Sequence, residues 1–188
     1  MLAFPAVATR ALDDPVLEQR HLTALAQIRQ LGDPVLRLSA EPVTEFDRGL
    51  AEDVELMTRI MVDARGVGLA APQIGRSRRL VVFKPDEDGP VNALCNPEVI
   101  ASGDEQDVVS EGCLSLGEVT MDVARPTTVA VAAFDPKGSP VELRLEGFEA
   151  RVIQHEIDHL NGVLIIDKAA DPDQRRAAMR ELRTGVAV

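Results

Sequence analysis

A helix that is apolar over most of its surface and carries two histidines constrains the fold of this chain more than any other segment. The residue pattern predicts this helix over residues 148–161, with apolar side chains around more than half of its circumference. These side chains are Phe148, Val152, Ile153, Ile157 and Leu160. A helix that is apolar on so many sides has to be buried, so we expect it at the centre of the molecule with sheet packed around it.

The same helix presents the side chains of a hydrolytic metal site. His155 and His159 are four residues apart, which places both imidazoles on one helix face, where they can bind one ion. Glu156 then flanks the ion, where its carboxylate is better placed to take a proton from an activated water than to be a ligand. The alternative is a helix whose two histidines are satisfied by hydrogen bonds, because short motifs also occur by chance.

The remaining patterns predict one α+β domain. Residues 48–65 have the apolar stripe of a helix, with Asp47 as its N-cap and Gly66 as its terminator. Short β-rich runs predict strands at residues 80–83, 127–134, 141–145 and 163–166, with a hairpin turn at residues 135–138. A capping box at residues 171–174 opens a C-terminal helix over about residues 172–183. We therefore expect a central metal-binding helix packed within antiparallel or mixed β-sheets, with an N-terminal helix and a C-terminal helix.

Composition excludes several classes of protein. The net charge of −11 argues against a general nucleic-acid binder, which needs clustered lysine and arginine to neutralise phosphates. No apolar run approaches the roughly 20 residues that a membrane span requires. Cys95 and Cys113 are the two cysteines and form no C-x-x-C pair, which favours a reducing compartment, the cytoplasm. Residues 1–14 make a poor secretory signal, and a transit peptide is the alternative for this segment.

A catalytic site of this kind needs a third protein ligand, and the sequence offers two sources. Proteases of the H-E-x-x-H type often take that ligand from beyond the helix, where this chain has the carboxylates of Asp167, Asp171 and Asp173. Upstream, Cys113 lies beside a glycine and could bind an ion as the thiolate. A lone cysteine is also a common core residue, so the pattern by itself leaves the third ligand open.

Three segments, taken together and in order, resemble peptide deformylase. They are GVGLAAPQ at residues 66–73, EGCLS at residues 111–115 and QHEIDHL at residues 154–160. The likeness extends over about residues 28–167, which predicts a catalytic domain of residues 28–188 and an N-terminal extension of residues 1–27, mobile at least in part. The resemblance implies hydrolytic removal of the formyl group from the N-terminal formylmethionine of newly made polypeptides, with release of formate.

The resemblance also implies a role for individual residues. The metal ligands would be Cys113, His155 and His159. Glu156 would act as general base and then general acid while water activated by the metal attacks the formyl carbonyl. The side-chain amide of Gln73 and the backbone N–H of Leu114 would donate to the oxyanion. The substrate-binding residues would be Gly66, Val67, Gly68, Leu114, Phe148 and Val152.

The implied cofactor is one divalent metal ion. The family points to Fe(II) as the ion in the cell, and one thiolate with two imidazoles also suits zinc, nickel or cobalt in purified protein. The implied partners are nascent formylated polypeptides, with no membrane and no sequence-specific nucleic acid. Arg176, Arg180 and Arg183 form a basic face on the C-terminal helix, which the charge pattern explains first as a solvated face. The resemblance implies contact with the ribosome as the alternative, because some members of the family dock there through a C-terminal helix.

The chain departs from the family pattern shortly after Cys113. Gly117 and Thr120 stand where the family commonly has a proline and an arginine, which predicts a more mobile loop and the loss of a donor for a substrate carbonyl. Two alternatives to a deformylase follow. One is a zinc protease with a downstream third ligand, and the other is a non-catalytic or retuned relative that binds formylated N-termini.

Overall fold

The computed structural model describes residues 14–84 and 89–185, with side chains up to residue 182. Four α-helices lie within these residues: α1 (Pro15–Leu25), α2 (Arg48–Asp63), α3 (Gly147–Leu160) and α4 (Pro172–Gly185). The strands of the same part of the chain are β1 (Gly68–Ala70), β2 (Leu80–Phe83), β3 (Asn92–Ser102), β4 (Gln106–Gly112), β5 (Thr120–Pro126), β6 (Thr128–Phe134) and β7 (Pro140–Glu146).

The strands form two antiparallel sheets. A five-stranded sheet has the order β1-β2-β3-β6-β7, and β4 pairs with β5 as a separate two-stranded sheet. β1 therefore lies at an edge of the larger sheet, where Gly68 is opposite Phe83 of β2. The expected α+β architecture with antiparallel sheets is confirmed.

The predicted central helix is confirmed as α3. It is buried along most of its length, and Val152, Ile153 and Leu160 have no exposed surface. Its apolar side chains share a core with residues of the larger sheet, including Val81, Val131 and Leu145. Burial of this helix fixes the two histidines and the glutamate of the motif inside the protein.

Helix α2 has the predicted cap and core face but a different terminator. The Asp47 carboxylate accepts a hydrogen bond from the N–H of Leu50 at 2.9 Å. At the other end Arg65, and not the predicted Gly66, adopts the left-handed conformation, with φ +59°. The N–H of Arg65 bonds to Val62 O at 3.0 Å and the N–H of Gly66 bonds to Met61 O at 2.8 Å, the pairing of a Schellman motif. Glycine is the usual residue in that conformation, because a side chain there costs about 1–2 kcal/mol.

One predicted strand is wrong and one helix was not predicted. Residues 163–166 do not join a sheet, because Ile165–Asp167 form a 3-10 turn whose apolar side chains fill a core beside β5. Helix α1 begins at Asp14-Pro15, where the Asp14 carboxylate accepts from the N–H of Val16 at 2.8 Å. This N-cap followed by proline is a sequence signal that could have found the helix. Helix α1 contacts α2, and residues 1–13 of the predicted mobile extension lie outside the described residues.

Helix α4 begins as predicted but completes its capping box differently. The Asp171 carboxylate accepts from the N–H of Asp173 at 2.8 Å. Gln174 instead accepts from the backbone N–H of Asp122 in β5 at 2.9 Å, which fastens the helix to the smaller sheet. None of the helices in the described part of the chain has the length and hydropathy to cross a membrane.

Candidate metal centre

Three buried side chains from two parts of the chain converge on one point. Cys113 follows the last residue of β4, and His155 and His159 lie one turn apart on α3. The ligand atoms of these residues lie within 4.8 Å of one another. Cys113 Sγ is 3.3 Å from His159 Nε2, which is 3.2 Å from His155 Nε2.

These separations fit a single tetrahedral metal ion. Zinc-type bond lengths of about 2.0–2.1 Å to nitrogen and 2.3 Å to sulfur place such ligand atoms roughly 3.3–3.6 Å apart. Two imidazole nitrogens and a thiol directed at one point compete for the same protons, whereas one cation satisfies all three. The downstream carboxylates serve elsewhere, because Asp167 pairs with Arg37, Asp171 caps α4 and Asp173 pairs with Arg176. The donor set therefore suits a borderline-soft divalent ion held by Cys113, His155 and His159.

A buried carboxylate orients one of these ligands. Glu111, at the end of β4, has no exposed surface, and its Oε2 lies 3.0 Å from Nδ1 of His155. That contact leaves Nε2 of His155 directed at Cys113 and His159, the arrangement by which metal-bound histidines are usually held. Glu111 also accepts two hydrogen bonds from Arg125, at 2.6 and 2.9 Å, and one from Arg151 at 2.6 Å.

His155 and the buried Arg125 keep Glu111 ionised. Burial alone would raise the pKa of this carboxyl, but the hydrogen bonds from His155 and Arg125 and the charge of Arg125 outweigh it and lower the pKa to about 2. The arginines are tied in turn to further groups: Arg125 donates to Asp158 at 2.7 Å, and Arg151 donates to the carbonyl of Val123 at 3.0 Å. Sequence reasoning assigned Glu111 no role beyond a place in the EGCLS segment, because its partners lie far along the chain in β5 and α3.

Glu156 lies next to the ligands without a polar partner for one of its oxygens. The residue is buried, and Oε2 has no hydrogen-bond partner among the described residues. Burial is the main cause that raises the pKa of Glu156 to about 7. A carboxylate that is buried and open on one oxygen can take a proton and give it up again.

The backbone of β1 passes so close to Glu156 that only glycine fits at residue 68. A Cβ built on Gly68 would lie 2.3 Å from Oε1 of Glu156 and 2.8 Å from its Cδ. Because Gly68 has no side chain, β1 and the Glu156 carboxylate can lie next to each other in the lining of the site.

The substitution Gly68→Ala is expected to displace Glu156 and lower kcat at least tenfold, because a shift of about 1 Å in a reacting group can cost 10²-fold. Metal content should stay unchanged, since the three atoms nearest to the added Cβ all belong to Glu156 and not to a metal ligand. The measurement is steady-state turnover together with metal analysis. Gly49→Ala is the matched control, because the nearest atom to that Cβ is a side-chain oxygen of Asp47 at 3.3 Å, on the exposed start of α2. Unchanged kcat in Gly68→Ala would show that the carboxylate tolerates displacement.

Gln73 points its amide nitrogen into the site. The N–H of Ala70 donates to Gln73 Oε1 at 2.8 Å, and because a backbone N–H can only donate, this contact fixes which end of the amide is oxygen. Nε2 is then 3.9 Å from Cys113 Sγ and 3.3 Å from Ser115 Oγ. The side chain is buried, so the amide is held in place by its surroundings.

A cleft opens over the ligands. Its lining includes Glu156, Gln73 and the ligands Cys113 and His155. The predicted substrate-binding residues Gly66, Val67, Gly68 and Leu114 also line it, and Arg65 completes that side. Phe148 and Val152, both on α3, are not part of this lining. Val152 belongs to the core cluster, and Val67 and Phe148 are partly buried and pack against it.

The loop after Cys113 takes a path that proline could not follow. Gly117 has φ +62° and ψ −128°, whereas proline is confined to φ near −65°. Thr120 begins β5, where it is opposite Gly112 of β4. A proline at residue 117 would therefore need a different backbone conformation, and the mobility of the loop and the loss of a donor at Thr120 stay predictions.

Comparison with known proteins places this arrangement in a family. The family model described as polypeptide deformylase matches residues 25–175. A peptide deformylase of Thermotoga maritima is 46% identical over 156 residues, which cover 83% of this chain and 93% of the relative. That of Acidothermus cellulolyticus is 48% identical over 160 residues, covering 85% and 87%. The crystal structure of a peptide deformylase from Synechococcus elongatus, in complex with actinonin, superposes with a TM-score of 0.78 at 39% identity, covering 82% of this chain and 85% of that one.

Proposed function

The chain belongs to the polypeptide deformylase family, and from that premise we propose how its residues carry out the reaction. The protein is a metal-dependent amide hydrolase that removes the N-formyl group from the formylmethionine of newly made polypeptides. The observation that supports the residue roles most strongly is the convergence of Cys113, His155 and His159 beside the buried carboxylate of Glu156. The protease alternative has no support, because the downstream carboxylates are engaged elsewhere.

Glu156 moves the protons of the reaction. A divalent ion at this site supplies Lewis acidity and makes water nucleophilic near neutral pH. Glu156 takes a proton from the attacking water through its unpartnered oxygen and delivers it to the amine nitrogen as the C–N bond breaks. The products are formate and the free N-terminal amine of methionine.

Gln73 and Leu114 stabilise the charge that develops on the formyl oxygen. Gln73 Nε2 is held toward Cys113 by the fixed orientation of its amide, and the N–H of Leu114 belongs to the next residue after that ligand. Donors fixed before the reaction need no reorganisation as the negative charge forms. Removing one such donor typically costs 10²–10³ in kcat.

The edge of β1 binds the backbone of the peptide. The N–H of Lys84 bonds to Val67 O at 2.8 Å, and the alternation of an antiparallel ladder then directs the backbone groups of Gly68 away from β2 toward the open edge. A peptide that adds to this edge is held through its main chain, which leaves the residues after methionine weakly specified by shape. Val67 and Leu114, which line the cleft, contact the methionine side chain, and Phe148 and Val152 support them from the core cluster behind Val67.

Formate release from formyl-Met-Ala-Ser by anaerobically prepared protein tests this function, with metal analysis of the same sample. We expect about one divalent ion per chain and turnover that stops when a chelator removes it. Acetyl-Met-Ala-Ser is the matched control substrate, because its bulkier acyl group should fit poorly beside Gly68. A protein that binds metal and formyl-peptide without releasing formate would instead be the non-catalytic relative.

We propose Fe(II) as the ion in the cell, with zinc, nickel or cobalt as substitutes in purified protein. Cys113 supplies the sulfur ligand of the proposed donor set. The substitution Cys113→Ala should reduce bound metal by at least tenfold and abolish formate release, because two imidazoles alone hold the ion weakly. Metal content is measured by elemental analysis, and Cys95→Ala, a buried cysteine in β3 outside the site, is the control. Unchanged metal in Cys113→Ala would favour a different third ligand.

We propose the cytoplasm as the compartment and the ribosome as a partner of α4. Arg176 and Arg180 lie one turn apart on the exposed part of this helix, whereas the Ala178 between them packs into the core. Deleting the helix would therefore disturb the fold, so charge substitution is the better test. The double substitution Arg176→Gln and Arg180→Gln should weaken salt-dependent cosedimentation with ribosomes, and undiminished cosedimentation would contradict the proposal. The predicted contribution of Arg183 falls on a side chain outside the described residues.

A further inference from the structure

Among the described residues that line the cleft, Arg65 carries the positively charged side chain. Its backbone takes the left-handed conformation at the end of α2, where glycine is the usual residue. A glycine, Gly66, is the very next residue, yet Arg65 occupies the strained position. The side chain at that position therefore lies at the cleft. Strain that persists at the edge of a site is a reason to look for a function of the side chain.

The walls of the cleft determine the direction in which a bound peptide must run. The formyl end lies at the ligands, next to Gly68, where an added Cβ would collide with the Glu156 carboxylate. Beyond Gly68 the strand is closed, because Leu69 and Ala70 have no exposed surface. The peptide therefore leaves along Val67 and Gly66, which line the cleft, and runs antiparallel to β1 toward Arg65.

The register of that pairing places Arg65 beside particular substrate residues. With the substrate methionine opposite Gly68, the second residue lies opposite Val67 and the third opposite Gly66. Arg65 is one position further along, in the turn between α2 and β1, at the end of the cleft toward which the peptide runs. A guanidinium on a flexible stem at this position reaches the third and fourth residues of the peptide.

We propose that Arg65 is a specificity-determining residue that favours formylated peptides with a carboxylate at their third or fourth residue. Both an acidic side chain and the terminal carboxylate of a formyl-tripeptide provide the same chemistry. The guanidinium binds a carboxylate through charge-assisted hydrogen bonds, and a half-buried position shields this contact partly from solvent. This inference rests on the proposed deformylase function. It adds a preference for acidic peptides, which hydrogen bonds to the peptide main chain alone would not produce.

Steady-state kinetics with matched peptides test the proposal. The pair formyl-Met-Ala-Glu-amide and formyl-Met-Ala-Gln-amide differs by one charge at the third residue. The wild-type protein should prefer the glutamate peptide about three- to tenfold in kcat/KM through a lower KM, with similar kcat, and the preference should shrink as salt is added. A third peptide with lysine at that residue should be the poorest of the set.

Two substitutions at Arg65 and one control separate the role from a general loss of folding. Arg65→Gln should remove the preference while kcat for the glutamine peptide is retained, and Arg65→Glu should reverse it in favour of the lysine peptide. Arg59→Gln removes the same charge from an exposed position on α2 and should leave the preference intact. A misfolded variant would lose activity on all peptides alike, so the reversal in Arg65→Glu can come only from a local charge.

The results of these measurements distinguish the role of Arg65 from the deformylase function itself. Equal kcat/KM for the three peptides in the wild-type protein, or an unchanged preference in Arg65→Gln, overturns the role of Arg65 while leaving the deformylase intact. No formate from any peptide would overturn the proposed function itself. Loss of the preference in Arg65→Gln together with its reversal in Arg65→Glu supports the proposal.

Discussion

Replacing Glu156 with glutamine is expected to abolish formate release while the metal stays bound. Glutamine has nearly the same size and shape as glutamate, so it can occupy the space beside Gly68 without moving the ligands. It cannot accept and return a proton, and general acid–base help of this kind is worth typically 10²–10⁴ in rate. We therefore expect a loss of at least that size in kcat, measured as formate released from formyl-Met-Ala-Ser, with elemental analysis of the same protein.

The control for this substitution is Glu149→Gln, in the first turn of the same helix. It removes one negative charge from α3 without contact to the cleft lining, so turnover should change less than twofold. Substantial turnover by Glu156→Gln with full metal content would remove Glu156 from the proton path. Loss of metal in Glu156→Gln would instead indicate that this carboxylate helps to hold the ion.

The substitution Glu111→Gln is expected to destabilise this protein strongly, because it removes a buried charge that two buried arginines share. Glu111, Arg125 and Arg151 are all buried, with exposures of 0%, 2% and 4%. Removing the carboxylate takes away the fully buried counter-charge that both guanidinium groups share, and leaves each of them only a more exposed partner, Asp158 for Arg125 and Asp107 for Arg151. Breaking a buried pair costs about 3–5 kcal/mol. For a chain of this size each kcal/mol lowers Tm by about 2–4 °C, so a fall of roughly 10 °C is expected in thermal unfolding.

The same substitution should also weaken metal binding. Glu111 Oε2 contacts Nδ1 of His155, and loss of such an orienting partner typically lowers metal affinity 10–100-fold. A chelator competition measured at a temperature where both proteins are folded separates this effect from the loss of stability. Glu105→Gln, at an exposed position just before β4, is the control for charge alone. An unchanged Tm in Glu111→Gln would show that the arginines find other partners.

Several elements of the fold were predictable because their signals are local. The Asp47 cap and the apolar stripe of α2, the periodicity of α3 and the turn between β6 and β7 each depend on residues close in sequence. The end of α2 was not predictable at residue level, because the choice between Arg65 and Gly66 follows from where the next segment must go. Residues 163–166 have the composition of a strand but do not pair in a sheet. Their packing beside β5 and α4 determines their conformation instead.

For the candidate site, the sequence by itself determined that His155, Glu156 and His159 share one helix face, since helical periodicity fixes the spacing of i and i+4 residues. It could not decide between Cys113 and a downstream carboxylate without the family resemblance. The tertiary structure decided it by bringing Cys113 Sγ within 3.3 Å of His159. It alone revealed Glu111 behind His155, Gly68 against Glu156 and Arg65 at the rim. These contacts join residues far apart along the chain, and they depend on how strands and helices pack, which no local pattern encodes.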